Sequence, residues 1–411
     1  MTRARLLLLL LLLSPCPAFA EGFSGYAEVK GFAYDERSAG DPHGAGWGTL
    51  FGKWEQKHAE AQFTGSLRAE WITSPESRDF TFDPADRRSR RTPVALPELW
   101  VRLPLPPSHD LELGRFQFGW GKTDGYSPAD AFLPRDLTDP FADEKLPLWA
   151  LRLSGQEQNV RYQAVVVPVT TPWRLPPLGS RNAPIGRGVL PQGTQLVEEE
   201  DAPPVFGFAA LRLLATWGDW DTGVWARSGI RPAPLLEFRL DPAQQRGGPP
   251  VISVDRRYAH EDAVGVEVSR VAGPYVLRGE AAALFSGDAE LGDAVIGTLS
   301  AERGFGDGTL LITLAANAID PPIDATLLFD RALLPALITA WNRSEEWGAW
   351  KVVWTAGLKR GDGLLKGEVG YNVTDTWKLT VGGDVPYGSE KGPLGALQGA
   401  RRLILALRRS W

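Results

Sequence analysis

The chain has 411 residues, a formal net charge of −6, one cysteine at Cys16 and one methionine at Met1. A single cysteine excludes a disulfide scaffold and a cysteine-held metal site, and the lone methionine excludes a methionine-lined groove. The acidic balance argues against a nucleic-acid partner, which would call for a basic face.

In chain order, Arg3 and Arg5 precede the run Leu6–Leu13, and Ala18-Phe19-Ala20 closes the segment with small residues. This is the three-part grammar of a secretory signal peptide, and the run falls short of the roughly 20 apolar residues that a spanning helix needs. Residues 1–20 are therefore read as a leader cleaved after Ala20, and 21–411 as one domain. Lipidation at Cys16 is the rival processing route, and Pro15 directly before it fits that route poorly. No later apolar run is long enough for a transmembrane helix.

From Phe23 onward the dominant pattern has a period of two. Between Glu60 and Trp71, Ala61, Phe63, Gly65, Leu67, Ala69 and Trp71 fall on one side, and Glu60, Gln62, Thr64, Ser66, Arg68 and Glu70 on the other. Successive strand side chains point to opposite faces, so each such segment has an apolar wall and a charged wall. The same split predicts strands near 23–33, 44–57, 60–71, 96–104, 109–119, 147–155, 158–167, 205–217 and 219–228. It continues near 264–269, 275–285, 294–303, 308–318, 330–342, 350–359, 365–371, 377–381 and 400–411. Leu333, Leu334 and Leu337 make the 330–342 segment readable as a short helix as well, and Arg115, Phe116 and Phe118 break clean alternation.

Connections alternate in length. Gly218-Asp219, Ala272-Gly273-Pro274, Gly304 to Gly308 and Thr374-Asp375 are tight, whereas 74–94, 120–146, 168–204, 229–259 and 387–399 are long and rich in proline, glycine and charge. Short turns at one end and long loops at the other fit an all-β, transmembrane antiparallel β-barrel of about 18 strands, with about 16 as the alternative count. A soluble sandwich also alternates. Charges of both signs recur on the polar face, however, and Trp71, Trp100, Trp217, Trp220, Trp347 and Trp377, among 16 tryptophans, sit near strand ends. A wet lumen and an interfacial aromatic girdle account for both features.

The last strand, Arg402 to Trp411, resembles the C-terminal strand of outer-membrane barrels, with Leu403, Leu405 and Leu407 alternating before a terminal aromatic. Phenylalanine is commoner at that end, and Arg409 interrupts the series. The resemblance implies that Leu403, Leu405, Leu407 and Trp411 form a signal read by barrel assembly machinery. The run Gly119-Trp120-Gly121-Lys122-Thr123-Asp124-Gly125-Tyr126-Ser127-Pro128-Ala129-Asp130 continues with Leu133-Pro134-Arg135-Asp136 and Glu144-Lys145-Leu146-Pro147, then Val167-Pro168 and Trp173 to Pro177. It resembles a poorly characterised porin-like family, distantly likened to alginate-export-type barrels. The resemblance implies an outer-membrane channel for an unnamed small or polymeric solute, passing passively or by facilitation, with outer-membrane lipid and lipopolysaccharide around it. A hydrolase on a barrel scaffold and a non-transporting assembly or surface protein are the alternatives.

The polar face offers Glu28, Lys30, Glu60, Arg68, Glu70, Arg278, Glu280, Lys351, Lys366 and Glu368 as lumen-lining candidates. The 120–146 loop carries Lys122, Asp124, Asp130, Arg135, Asp136, Asp139, Asp143, Glu144 and Lys145, and would narrow the pore if it folded inward; a solvated loop is the plainer reading. Its aspartates lack the spacing of a calcium loop. Gly121-Lys122-Thr123 has Phe116 where a phosphate-binding loop needs glycine. Arg87, Arg88, Arg90 and Arg91 suit lipopolysaccharide phosphates, an anionic solute or merely a solvated charge run. His43, His58, His109 and His260 show neither metal-ligand spacing nor a serine-nucleophile motif, so no cofactor, metal or catalytic residue is expected.

Overall fold

The structure, a computed structural model, describes residues 22–35, 42–73, 82–88, 90–142, 144–178, 180–183, 194–198, 203–240, 251–288, 290–320 and 333–411. The predicted leader lies outside them. Eighteen antiparallel strands form the wall: β1 (Phe23–Tyr34), β2 (Gly44–His58), β3 (Ala61–Ile72), β4 (Leu99–Leu105), β5 (His109–Phe116), β6 (Leu148–Glu157), β7 (Val160–Val167), β8 (Phe208–Trp217) and β9 (Trp220–Ile230). The series goes on with β10 (His260–Ala272), β11 (Tyr275–Ser286), β12 (Asp293–Phe305), β13 (Gly308–Asp320), β14 (Ala336–Glu345), β15 (Gly348–Gly357), β16 (Asp362–Asn372), β17 (Trp377–Gly388) and β18 (Arg402–Ser410).

The sheet closes on itself. β1 pairs with β2 along one side and with β18 along the other, from Tyr26 opposite Ser410 to Tyr34 opposite Arg402. Gly25 and Trp411 extend that seam with a reciprocal pair of backbone hydrogen bonds at 3.2 and 3.1 Å. Closure satisfies the backbone groups that an open edge would leave bare in lipid. Every even-to-odd connection, from β2–β3 to β16–β17, is a turn of two to four residues, and the odd-to-even connections at the opposite end are longer except for the four-residue β15–β16 turn. Gly218, Gly273 and Gly306 take positive φ in three of the two-residue turns, the conformation such hairpins require.

The outward face is apolar all the way round. Leu67 on β3, Leu211 on β8, Val266 on β10, Leu299 on β12, Val381 on β17 and Leu403 on β18 are all exposed, Leu299 at 67% and Leu403 at 70%. A water-soluble protein rarely displays so continuous an apolar belt, whereas lipid accepts it. Trp54, Trp217, Trp220, Tyr275, Phe305, Trp341 and Trp377 form an outward aromatic girdle at the tight-turn end. Guanidiniums stack on part of it, with Arg270 over Trp220 at 5.0 Å and Arg303 over Phe305 at 4.4 Å. Trp100 departs from the girdle expectation: it faces inward and meets Phe116 edge-on at 6.3 Å. The leucine-rich 330–342 segment is strand from Ala336 onward.

The inward face is not uniformly polar. On β7 to β14, Val165, Val167, Phe208, Trp225, Ile296 and Ile338 point inward and are buried. Unbroken apolar runs such as Ala164 to Val167 and Ala281 to Phe285 are the sequence mark of strands covered on both faces.

Candidate functional site

What covers the apolar inner wall is the long connection 117–147 between β5 and β6. Its aromatic face forms a ladder: Phe116, Phe118 and Trp120 follow one another at 6.2 and 6.3 Å, and Trp120 meets Phe132 at 5.7 Å. Phe132 then docks on the wall, 5.3 Å from Phe208 on β8 and 6.0 Å from Trp225 on β9. The broken alternation at Arg115, Phe116 and Phe118 thus marks where the chain leaves the wall and enters the lumen.

Polar contacts fix the loop at several points on the circumference. Glu280 of β11, buried, accepts from the Lys122 and Thr123 N–H groups at 2.5 and 2.6 Å, and from the Thr123 and Ser127 hydroxyls at 2.9 and 2.6 Å. Arg212 of β8 donates to the Trp120 carbonyl at 2.6 Å and to both Glu267 oxygens at 2.7 Å. Thr313 of β13 donates to the Asp124 carbonyl at 2.8 Å. Across the barrel, Arg402 of β18 holds Asp139 at 2.9 and 3.0 Å, and Lys366 of β16 donates to the Phe141 carbonyl. Within the loop, Asp130 accepts from the Trp120 and Gly121 N–H groups and from Lys145 at 2.7, 3.0 and 2.6 Å. A Cβ on Gly121 would lie 2.3 Å from the Ser127 hydroxyl, which is why this tight turn takes glycine there.

A second anchor joins three long loops to two strands. Asp136 lies between Arg91 at 3.1 Å and Arg174 at 3.0 Å; Arg174 also binds Asp86, which Arg115 holds at 2.6 Å. Arg91 reaches Glu70 at 2.7 Å and Glu144 at 3.1 Å, and Arg68 also binds Glu144. Four guanidiniums thereby face four carboxylates. Burial by itself would raise the Asp136 carboxyl, but Arg91, Arg174 and the Thr138 hydroxyl hold it well below the usual carboxylate range. Asp86 is lowered the same way: burial opposes, while Arg174 and Arg115 prevail.

These contacts change the expected roles of the loop charges. Asp130 and Asp136 do not face open water: both are buried and hold the loop, because a charge taken out of solvent must find partners. Lys122 and Asp124 lie against the β10–β11 wall, near Glu267 at 3.9 Å and Arg278 at 3.6 Å respectively. Arg135 pairs in register with Lys145. Asp143 lies outside the described residues. Of the predicted arginine cluster, Arg91 is buried in the ion network and Arg87 donates to Pro203, so neither is a solvated surface charge.

The open part of the lumen lies on the opposite, charged side. A cavity of about 440 Å³ is bounded by β15 to β18 and β1, with Phe141 and Asp139 of the loop across from them. Glu28, Lys30, Lys351, Lys366 and Glu368 line it. A second cavity, of about 330 Å³, holds Arg68, Glu144 and Lys145 near Tyr26 and Phe51. Glu70 faces the ion network, and Arg278 and Glu280 face the loop. Glu60, predicted to line the lumen, instead occupies the exposed β2–β3 turn, one residue before the strand begins. Leu403, Leu405 and Leu407 point outward from β18, as the alternation predicts. None of the four histidines lines either cavity, and among the described residues no cluster of histidine, cysteine and carboxylates is arranged to hold a metal.

The contribution missed at the sequence level came from the inner apolar half-wall and from Arg115, Arg174, Arg212 and Arg402. Single arginines in loops and strands carry no spacing signal; only the fold brings them to carboxylates distant in sequence.

Fold and site together define a closed antiparallel barrel of the membrane type, with one loop folded into its lumen. No family model and no curated protein matches this sequence. Among solved structures it is similar to engineered variants of the porin of Rhodopseudomonas blastica. One aligns at 9% identity with a TM-score of 0.39, covering 95% of this chain and 99% of that one. Another aligns at 9% identity with a TM-score of 0.40 over the same shares. The barrel itself is established by its own strand pairing.

Proposed function

We propose that the chain is a passive, porin-like channel of the outer membrane in which the 117–147 loop narrows the lumen. The observation that carries this reading is the division of the inner wall. The loop fills the apolar side, and a charged, open cavity remains along β15 to β18 and β1. An aqueous passage beside a folded-in loop is what a barrel of about 18 strands has room for. Closed barrels with short turns at one end and long loops at the other are the form that spans outer membranes. The tight-turn end would then face the periplasm.

Passage requires no chemistry on the solute: width and charge placement decide what crosses. Asp139 and Lys366 mark the narrowed level, where loop and wall touch. The purified full chain reconstituted in a planar bilayer should give stepwise single-channel currents. A correctly folded barrel that never conducts would refute the channel and favour a plugged surface or assembly protein.

A further inference from the structure

Many of the charges inside the barrel are held in ion pairs, and the open cavity is where basic side chains outnumber acidic ones. On the loop-covered side Arg212 pairs with Glu267 at 2.7 Å, Arg278 with Glu302 at 2.7 Å and Arg152 with Glu112, while Arg227 and Arg231 share Glu261. The ion network around Asp136 is four against four.

The cavity wall differs, with six basic and four acidic side chains lining it. Arg402 is satisfied by Asp139 and Asp384, the latter at 2.7 Å. Lys30 and Arg408 share Glu28, at 3.1 and 2.9 Å. That leaves Lys351 on β15, Lys366 on β16 and Lys378 on β17 with Glu368, opposite Lys351, and with a share of Asp384, opposite Lys366. Among the described residues Lys351 and Lys378 close no salt bridge, and both are exposed to the cavity. Lys366 spends one N–H on the Phe141 carbonyl, which adds no negative charge. The surplus therefore lies on three adjacent strands, in a chain whose overall charge is −6.

We infer that this lysine face makes the channel select small anions, carboxylates among them, over cations. The inference rests on the channel reading. Within low-dielectric walls a fixed charge of one sign concentrates counter-ions of the other and excludes co-ions. Three ammonium groups on neighbouring strands give an anion successive weak sites, and weak sites permit exit as well as entry. Because Lys351 and Lys378 are exposed, the preference should fade as salt shortens the screening length from about 30 Å at 0.01 M to about 3 Å at 1 M.

The test is the zero-current potential of the full chain in a planar bilayer under a potassium chloride gradient at low ionic strength, repeated with potassium acetate. The expected result is a shift toward the equilibrium potential of the anion in both salts. The double variant Lys351→Glu/Lys378→Glu reverses the surplus at two exposed positions that hold no structural bond, and should carry the potential across zero toward the potassium value. Lys351→Gln/Lys378→Gln should move it part of the way. A wild-type potential at zero or on the potassium side overturns the inference, as does a potential that ignores both substitutions. Absence of any current in the wild type strikes the channel reading instead, so the two failures are distinguishable.

Discussion

Asp136 is buried between two guanidiniums, and its titration decides when the loop anchor can fail. Its folded-state pKa lies below the unfolded value of about 3.9, so the stability it contributes is fully present above that value and is lost only as pH falls through the lowered one. The anchor should thus hold from neutral pH down to about 4 and loosen in stronger acid. Thermal unfolding of the detergent-solubilised barrel across that range checks the sign. Asp136→Asn should cost about 3–5 kcal/mol at neutral pH, because Arg91 and Arg174 then keep a buried charge with a partner missing. Glu280 works by hydrogen bonding: it receives three backbone N–H groups, of Lys122, Thr123 and Ala129, and two hydroxyls of the loop tip. Glu280→Ala should release that tip without disturbing the wall, and recordings should show larger current fluctuations than wild type. Unchanged open-channel noise would argue that the aromatic ladder alone holds the loop.

At the scale of elements, the inserted loop and the inner face of β7 to β14 are two halves of one core. Trp120 is 1% exposed and stands between Phe118 and Phe132, so Trp120→Ala should destabilise the docked loop by about 3–5 kcal/mol. Replacing residues 121–142 by a short glycine-serine linker should raise single-channel conductance, since the plug on one side of the lumen is gone. It should also expose the wall around Phe208, Trp225 and Ile296, read as new binding of a hydrophobic fluorescent dye. Conductance equal to wild type in the excised variant would place the narrowest point elsewhere.

For the molecule as a whole, the seam between β1 and β18 is what makes a sheet into a barrel. Removing Arg402 to Trp411 leaves β1 and β17 each with an unpaired edge, a condition that lipid cannot satisfy. The truncated chain should fail to give the compact, heat-sensitive band of a folded barrel on cold electrophoresis, whereas the full chain should give it. The outward apolar belt further predicts that the full chain stays monodisperse only with detergent or lipid. A stable particle in plain buffer, measured by light scattering, would contradict a lipid-facing exterior.

Strand number, turn positions and the outward apolar wall were legible in the sequence by itself, because they are local: a period of two and a glycine turn need no knowledge of distant residues. The wall positions of Glu28, Lys30, Arg68, Lys351 and Lys366 follow from the same alternation, and Glu60 was misplaced only because a strand boundary fell one residue later. Arg115 and the aromatic run after it showed that the pattern broke but not where the chain went. Which inner half-wall is apolar, which carboxylate meets which arginine, and which lysines keep an open face were decided by the tertiary structure alone. A charge in the lumen takes its role from the group across the barrel, and Asp139 and Arg402, 263 positions apart, become neighbours only when the sheet closes.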